Sequence, residues 1–157
     1  MVVFGVGNLR LVTTSLIMGN LNFGRVIMGG LIAGLVINIG EFLLNEVVFK
    51  QQMEEMATKL NVGMPGGSFI AIAVLITFIL GIVIVLTYAL IRPRLGAGPR
   101  TAIVAALICW FGIYVYSGIL NSMFFGLGKH LLVIGMAWGL AEYLIGALAG
   151  SWLYKES

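Results

Sequence analysis

Apolar and polar positions alternate along this chain on the scale of whole membrane spans. Apolar runs cover about 25–49, 69–91, 101–125 and 131–153, and short polar or Gly/Pro-bearing segments separate them. Each run is long enough, as a helix, to cross a hydrocarbon core of ~30 Å. The pattern therefore predicts an all-α fold, a four-helix transmembrane bundle occupying 24–157. Residues 1–23 precede the bundle as an interfacial or frayed segment. They are interrupted by Arg10 and by the Thr13, Thr14, Ser15 cluster, and they lack the charge order of a secretory signal. Met18 offers an alternative translation start, because MGNLNFGRV leads straight into the first run.

The connectors differ in kind. After the first run comes KQQMEEMATKL, where Met53, Met56, Ala57 and Leu60 recur at spacings of three and four. That spacing predicts a short amphipathic helix on the membrane surface, with Met53, Met56 and Leu60 turned to the bilayer. Asn61 to Ser68 is then a flexible link, since Pro65, Gly66 and Gly67 interrupt any helix. The second run ends at Arg92-Pro93-Arg94, and Gly96, Gly98 and Pro99 make the tight loop before the third.

Composition agrees with the pattern: 61% of residues are hydrophobic and 10% charged, the balance of an integral membrane protein. The bilayer is thus the first partner. A formal charge of +3, scattered along the chain, excludes a nucleic-acid surface. Its distribution carries more information. Arg10, Arg25, Arg92, Arg94, Arg100 and Lys155 fall on one side of an even number of spans. Lys50, Lys59 and Lys129 fall on the other, diluted by Glu46, Glu54 and Glu55. The positive-inside rule then places both termini in the cytoplasm.

The stretch Gly30 to Asn45, GLIAGLVINIGEFLLN, is the chemically loaded one. Asn38, Glu41 and Asn45 lie at spacings that share one helix face with Gly30 and Gly34. A glutamate facing lipid costs several kcal/mol, ~2.5 or more, so Glu41 is expected to look into the bundle. A second acid, Glu142, lies in the fourth run. Counted at ~1.5 Å per residue from the cytoplasmic edge, Glu41 falls at ~24 Å and Glu142 at ~16 Å. On the same count Thr77, Tyr114 and Ser117 fall at ~20–24 Å, so these three and Glu41 form a candidate polar layer with Glu142 ~8 Å beneath. Asn38 and Trp110 bridge the gap. No Lys, Arg or His lies at these depths, so desolvation leaves at least one carboxyl neutral and able to donate a hydrogen bond.

Two functions compete on these residues. In the first, Glu41 and Glu142 are neutral glue within a small accessory or scaffold subunit. That subunit packs through the glycine faces of Gly30, Gly34, Gly135, Gly139, Gly146 and Gly150, against itself as a homo-oligomer or within a larger membrane complex. In the second, the two acids titrate in a small proton- or cation-coupled carrier. An echo between Gly34-xxx-Asn38-xx-Glu41 and Gly135-xxx-Gly139-xx-Glu142 is either the trace of an inverted repeat or a coincidence of a Leu/Ile/Gly-rich alphabet. Nothing points to an enzyme: there is no Ser/His/Asp set, no phosphate-binding glycine loop and no haem-ligand pair. His130 has no second ligand at metal spacing, and the lone Cys109 reads as a small buried hydrophobe. The eight Met residues read as gap fillers, and no cofactor is expected.

The strings NFGRVIMGGLIAGLVINIGEFLLN, IRPRLGAGPRTA and AGSWLYKE, spanning about Asn22 to Glu156, resemble a group of small uncharacterised bacterial four-helix inner-membrane proteins. The resemblance implies a bacterial inner-membrane setting and carries no functional residue.

Overall fold

The structure, a computed structural model, describes residues 21–126 and 128–156. The expected N-terminal segment, apart from its last three residues, and the alternative start at Met18 lie outside the described residues. Every regular element among the described residues is helical. We label them α1 (Phe23–Val48), α2 (Lys50–Leu60), α3 (Gly67–Leu95), α4 (Pro99–Phe125) and α5 (Lys129–Leu153). All but α2 are long and apolar enough to cross a membrane, which makes this a multi-pass, all-α bundle.

Local chemistry sets the ends. Asn22 caps α1, its side-chain oxygen accepting from the Arg25 N–H at 3.2 Å. Asn61 stops α2 with a left-handed φ of 52°, and the Val62 N–H returns to the Ala57 carbonyl at 3.0 Å. Pro99 opens α4, where its missing N–H costs nothing. Pro93 does not end α3, contrary to expectation. It sits in the last turn, where it forfeits one bond, and the helix stops instead at Gly96, whose φ is 85°.

The helices form a rhombus. α1 packs against α3 and α5, α4 packs against α5 and α3, and α1 and α4 face each other across the long diagonal. Close approach depends on small residues. Gly81 of α3 lies on the backbone of Gly30 and Gly34, leaving no room for a β-carbon. Gly29 and Gly150 do the same between α1 and α5, and Gly146 sits over the Ala33 carbonyl. The N-terminal and C-terminal ends of the described chain and the loop around 92–100 share one end of the bundle. There Arg25 donates to the Leu153 carbonyl at 3.3 Å, and Arg92 lies 3.6 Å from Glu156 and 5.4 Å from the Tyr154 ring centre.

Packing is tight at that end and loose at the other. Buried residues run from Val26 to Ile37 on α1, with Leu44 alone beyond them, from Gly81 to Ala89 on α3, from Thr101 to Cys109 on α4 and from Gly139 to Ser151 on α5. By contrast, residues 67–76 of α3 are exposed all round. α2 occupies the span expected for the surface helix, but Met53 and Met56 turn toward a groove over α4 and α5, while Leu60 stays exposed. Apart from Gln52 and Asn121 the groove's other walls are apolar or aromatic, so α2 buries its methionines there and not in lipid alone.

Candidate functional site

The site sits where tight packing ends. Glu41 is half-buried on α1. Its Oε1 accepts from the Tyr114 hydroxyl at 2.7 Å, and its Oε2 accepts from Asn45 Nδ2 at 3.1 Å. The same Asn45 nitrogen donates to the Glu41 carbonyl at 2.7 Å. Tyr114 comes from α4, so its bond closes the long diagonal that backbone packing leaves open. On α5, Glu142 is 5% exposed. Its Oε1 accepts from Trp138 Nε1, one turn earlier, and that N–H is shared with the Gly40 carbonyl of α1 at 3.2 Å. The carboxyl lies where a β-carbon on Gly40 would stand, so glycine at position 40 is what admits it. Glu142 Oε2 is buried without a hydrogen-bond partner.

Both groups that bond Glu41 come from π-helical turns. Asn45 lies in Leu44–Val48 and Tyr114 in Phe111–Val115. A π-turn holds one residue more than an α-turn and so rotates the faces of the helix beyond it, a device common at functional sites. In α4 it swings Ser117 off the Tyr114 face, so that Gly118 takes the place expected for it. The Tyr114 ring fills the space that a side chain at Gly139 would occupy and meets Tyr143 edge-on, with centroids 5.7 Å apart at 89°.

The expected polar layer is therefore only partly assembled. Glu41, Asn45 and Tyr114 meet. Asn38 instead donates to the Gly34 carbonyl at 2.9 Å and to the Val74 carbonyl at 3.4 Å, in the seam between α1 and α3. Thr77 donates back to Ala73 of its own helix at 2.9 Å, and Ser117 is exposed on the outer face of α4. Trp110 bonds the Met136 carbonyl at 3.0 Å and bridges α4 to α5, not the two acids. Gly135, with no atom nearer than 3.8 Å to its would-be β-carbon, lines the groove and is not a close-packing contact.

The two acids also lie closer in depth than a count of residues allows. Glu142 meets α1 at Gly40, the residue before Glu41, and not ~8 Å below it. Side chains lean toward the N-terminus of their own helix. Since α1 and α5 are antiparallel, Glu41 leans down and Glu142 leans up, which closes the gap. Neither Trp138 nor Gly40 belongs to the polar set that the sequence predicts. The i, i+4 spacing of Trp138 and Glu142 is a signal for the first; no local signal exists for the second.

Two carboxyls, a phenol, an indole and an amide make up the cluster's donors and acceptors. Among the described residues no three His, Cys, Asp or Glu side chains converge as a metal cage. The arrangement can hold protons and tie three helices. Comparison with protein-family models, curated proteins and solved structures finds no match to the chain.

Proposed function

We propose that this protein is a small accessory or scaffold subunit of a bacterial inner membrane, with both termini in the cytoplasm and Glu41 and Glu142 serving as a structural clasp. The observation that carries the reading is the pair of cross-helix bonds, Tyr114 to Glu41 and Trp138 to the Gly40 carbonyl, the second from an N–H that also holds Glu142 on its own helix. These bonds commit the donors of α4 and α5 to the carboxyls and backbone of α1 and α5. The orientation is supported by six basic residues on the terminal side against three on the other. Gly29, Gly30, Gly34, Gly81, Gly146 and Gly150 are occupied by contacts within the chain. Association with a second copy or a larger complex is therefore assigned to the loose half, where residues 67–76 of α3 are exposed all round.

One observation favours the alternative, a proton- or cation-coupled carrier. Glu142 Oε2 is buried and unpartnered, which is costly unless a proton or cation visits it. Infrared titration of the carboxyl stretch in reconstituted bilayers, together with proton flux in liposomes, separates the two. The clasp predicts carboxyl bands that do not titrate between about pH 5 and 9, and no flux. A titrating band lost in Glu41→Gln or Glu142→Gln, with flux lost alongside, would replace the clasp by the carrier.

A further inference from the structure

Between α2, the loose half of α4 and the first turns of α5 lies a groove of about 300 Å³, within the lower range of small-ligand sites. Met53 and Met56 form one wall, Gly118 and Gly135 leave the space, and the Tyr114 ring is the floor. Asn121, seven residues beyond Tyr114, lines the far end, so the groove runs ~10 Å along α4. A slot of that length parallel to the membrane helices suits a stretch of one acyl chain.

The mouth has a sign. α5 begins three residues before the groove's Leu131, at Gly128, which offers no side-chain cap for the first N–H groups, and Lys129 and His130 beside it are exposed. Uncapped N–H groups and a cation together favour an anion. The acids of α2 do not oppose this: Glu54 and Glu55 share the opposite surface of that helix with Gln51, Thr58 and Lys59. Finally, Gln52 lines the groove with its Oε1 buried and unpartnered, an acceptor waiting for a donor.

We propose that this groove binds one anionic glycerophospholipid of the leaflet on the α2 side. One acyl chain lies against Met53, Met56, Gly118 and Gly135. The phosphate meets the start of α5 and Lys129, and a head-group hydroxyl donates to Gln52. The assignment does not rest on the clasp, since the groove ends at the ring of Tyr114 and leaves its bond to Glu41 intact.

Native mass spectrometry of the full chain in non-ionic detergent, titrated with phosphatidylglycerol, phosphatidylethanolamine or phosphatidylcholine, tests the assignment. One phosphatidylglycerol adduct should persist, roughly fivefold tighter than phosphatidylcholine, and Lys129→Gln should remove that margin. Gln52→Leu should weaken phosphatidylglycerol while leaving phosphatidylcholine unchanged. Gly135→Leu, whose β-carbon has room, should cut the adducts of all three lipids by filling the slot. Equal affinity for the three lipids, a preference that survives both Lys129→Gln and Gln52→Leu, or an adduct untouched by a folded Gly135→Leu would overturn the assignment. Should Gly135→Leu fail to fold, the Lys129 and Gln52 variants decide alone.

Discussion

Replacing Tyr114 by Phe removes one oxygen and little else. The ring keeps its place against Gly139 and its edge-on contact with Tyr143, so no cavity opens. What is lost is the 2.7 Å bond to Glu41 Oε1, the polar link across the long diagonal between α1 and α4. Hydrogen bonds between membrane helices average ~0.6 kcal/mol and reach ~1.7. This bond is short, partly buried and made to a carboxyl, so we expect the upper half of that range, about 1–1.7 kcal/mol. Tyr116, two residues on and 63% exposed, is the control, and Tyr116→Phe should cost less than ~0.5 kcal/mol. The assay is reversible unfolding in mixed micelles or by steric trapping, run as a double-mutant cycle of Tyr114→Phe with Glu41→Leu. A coupling of about 1 kcal/mol is expected. Coupling below ~0.3 kcal/mol, or a Tyr114→Phe cost no larger than that of Tyr116→Phe, would refute the clasp as an energetic element.

The same geometry sets three further outcomes. Gly81→Ala should destabilise by ~1–3 kcal/mol, because its β-carbon would strike the Gly30 and Gly34 backbone, whereas Gly63→Ala, with open space around it, should stay within ~0.5 kcal/mol in the same unfolding assay. With Cys109 replaced, Gly63→Cys should react with an impermeant thiol reagent in intact cells and Ala97→Cys only after permeabilisation; the reverse order would invert the orientation. Amides of Lys50–Leu60 should exchange slowly in nanodiscs, since α2 is helical and packed on the groove, and uniformly fast exchange there would contradict that placement.

The class of this protein, the number of its spans and its connectors to within a few residues are legible in the amino-acid sequence alone. Apolar length, Gly/Pro punctuation and basic residues act locally, and the bilayer imposes the rest. Glu41 and Asn45 are likewise legible as neighbours on one face, because spacing along one helix is a local property, and the depth count brings Tyr114 to the level of Glu41. Which groups meet is a tertiary matter. Counting residues from the membrane edge puts Glu142 well below Glu41, but antiparallel helices aim their side chains toward each other and bring both acids to the level of Gly40. A π-turn in α4 rotates Ser117 out of the cluster, and no periodicity rule that assumes an unbroken helix registers such a turn. Thr77 finds its own backbone, and Asn38 finds its own backbone and the α3 seam, because a polar side chain in an apolar span shares the nearest helix carbonyl. Gly40 has no local signature at all. Its meaning lies in the carboxyl of another helix occupying the place of its missing side chain, a fact that exists only once α1 and α5 have packed.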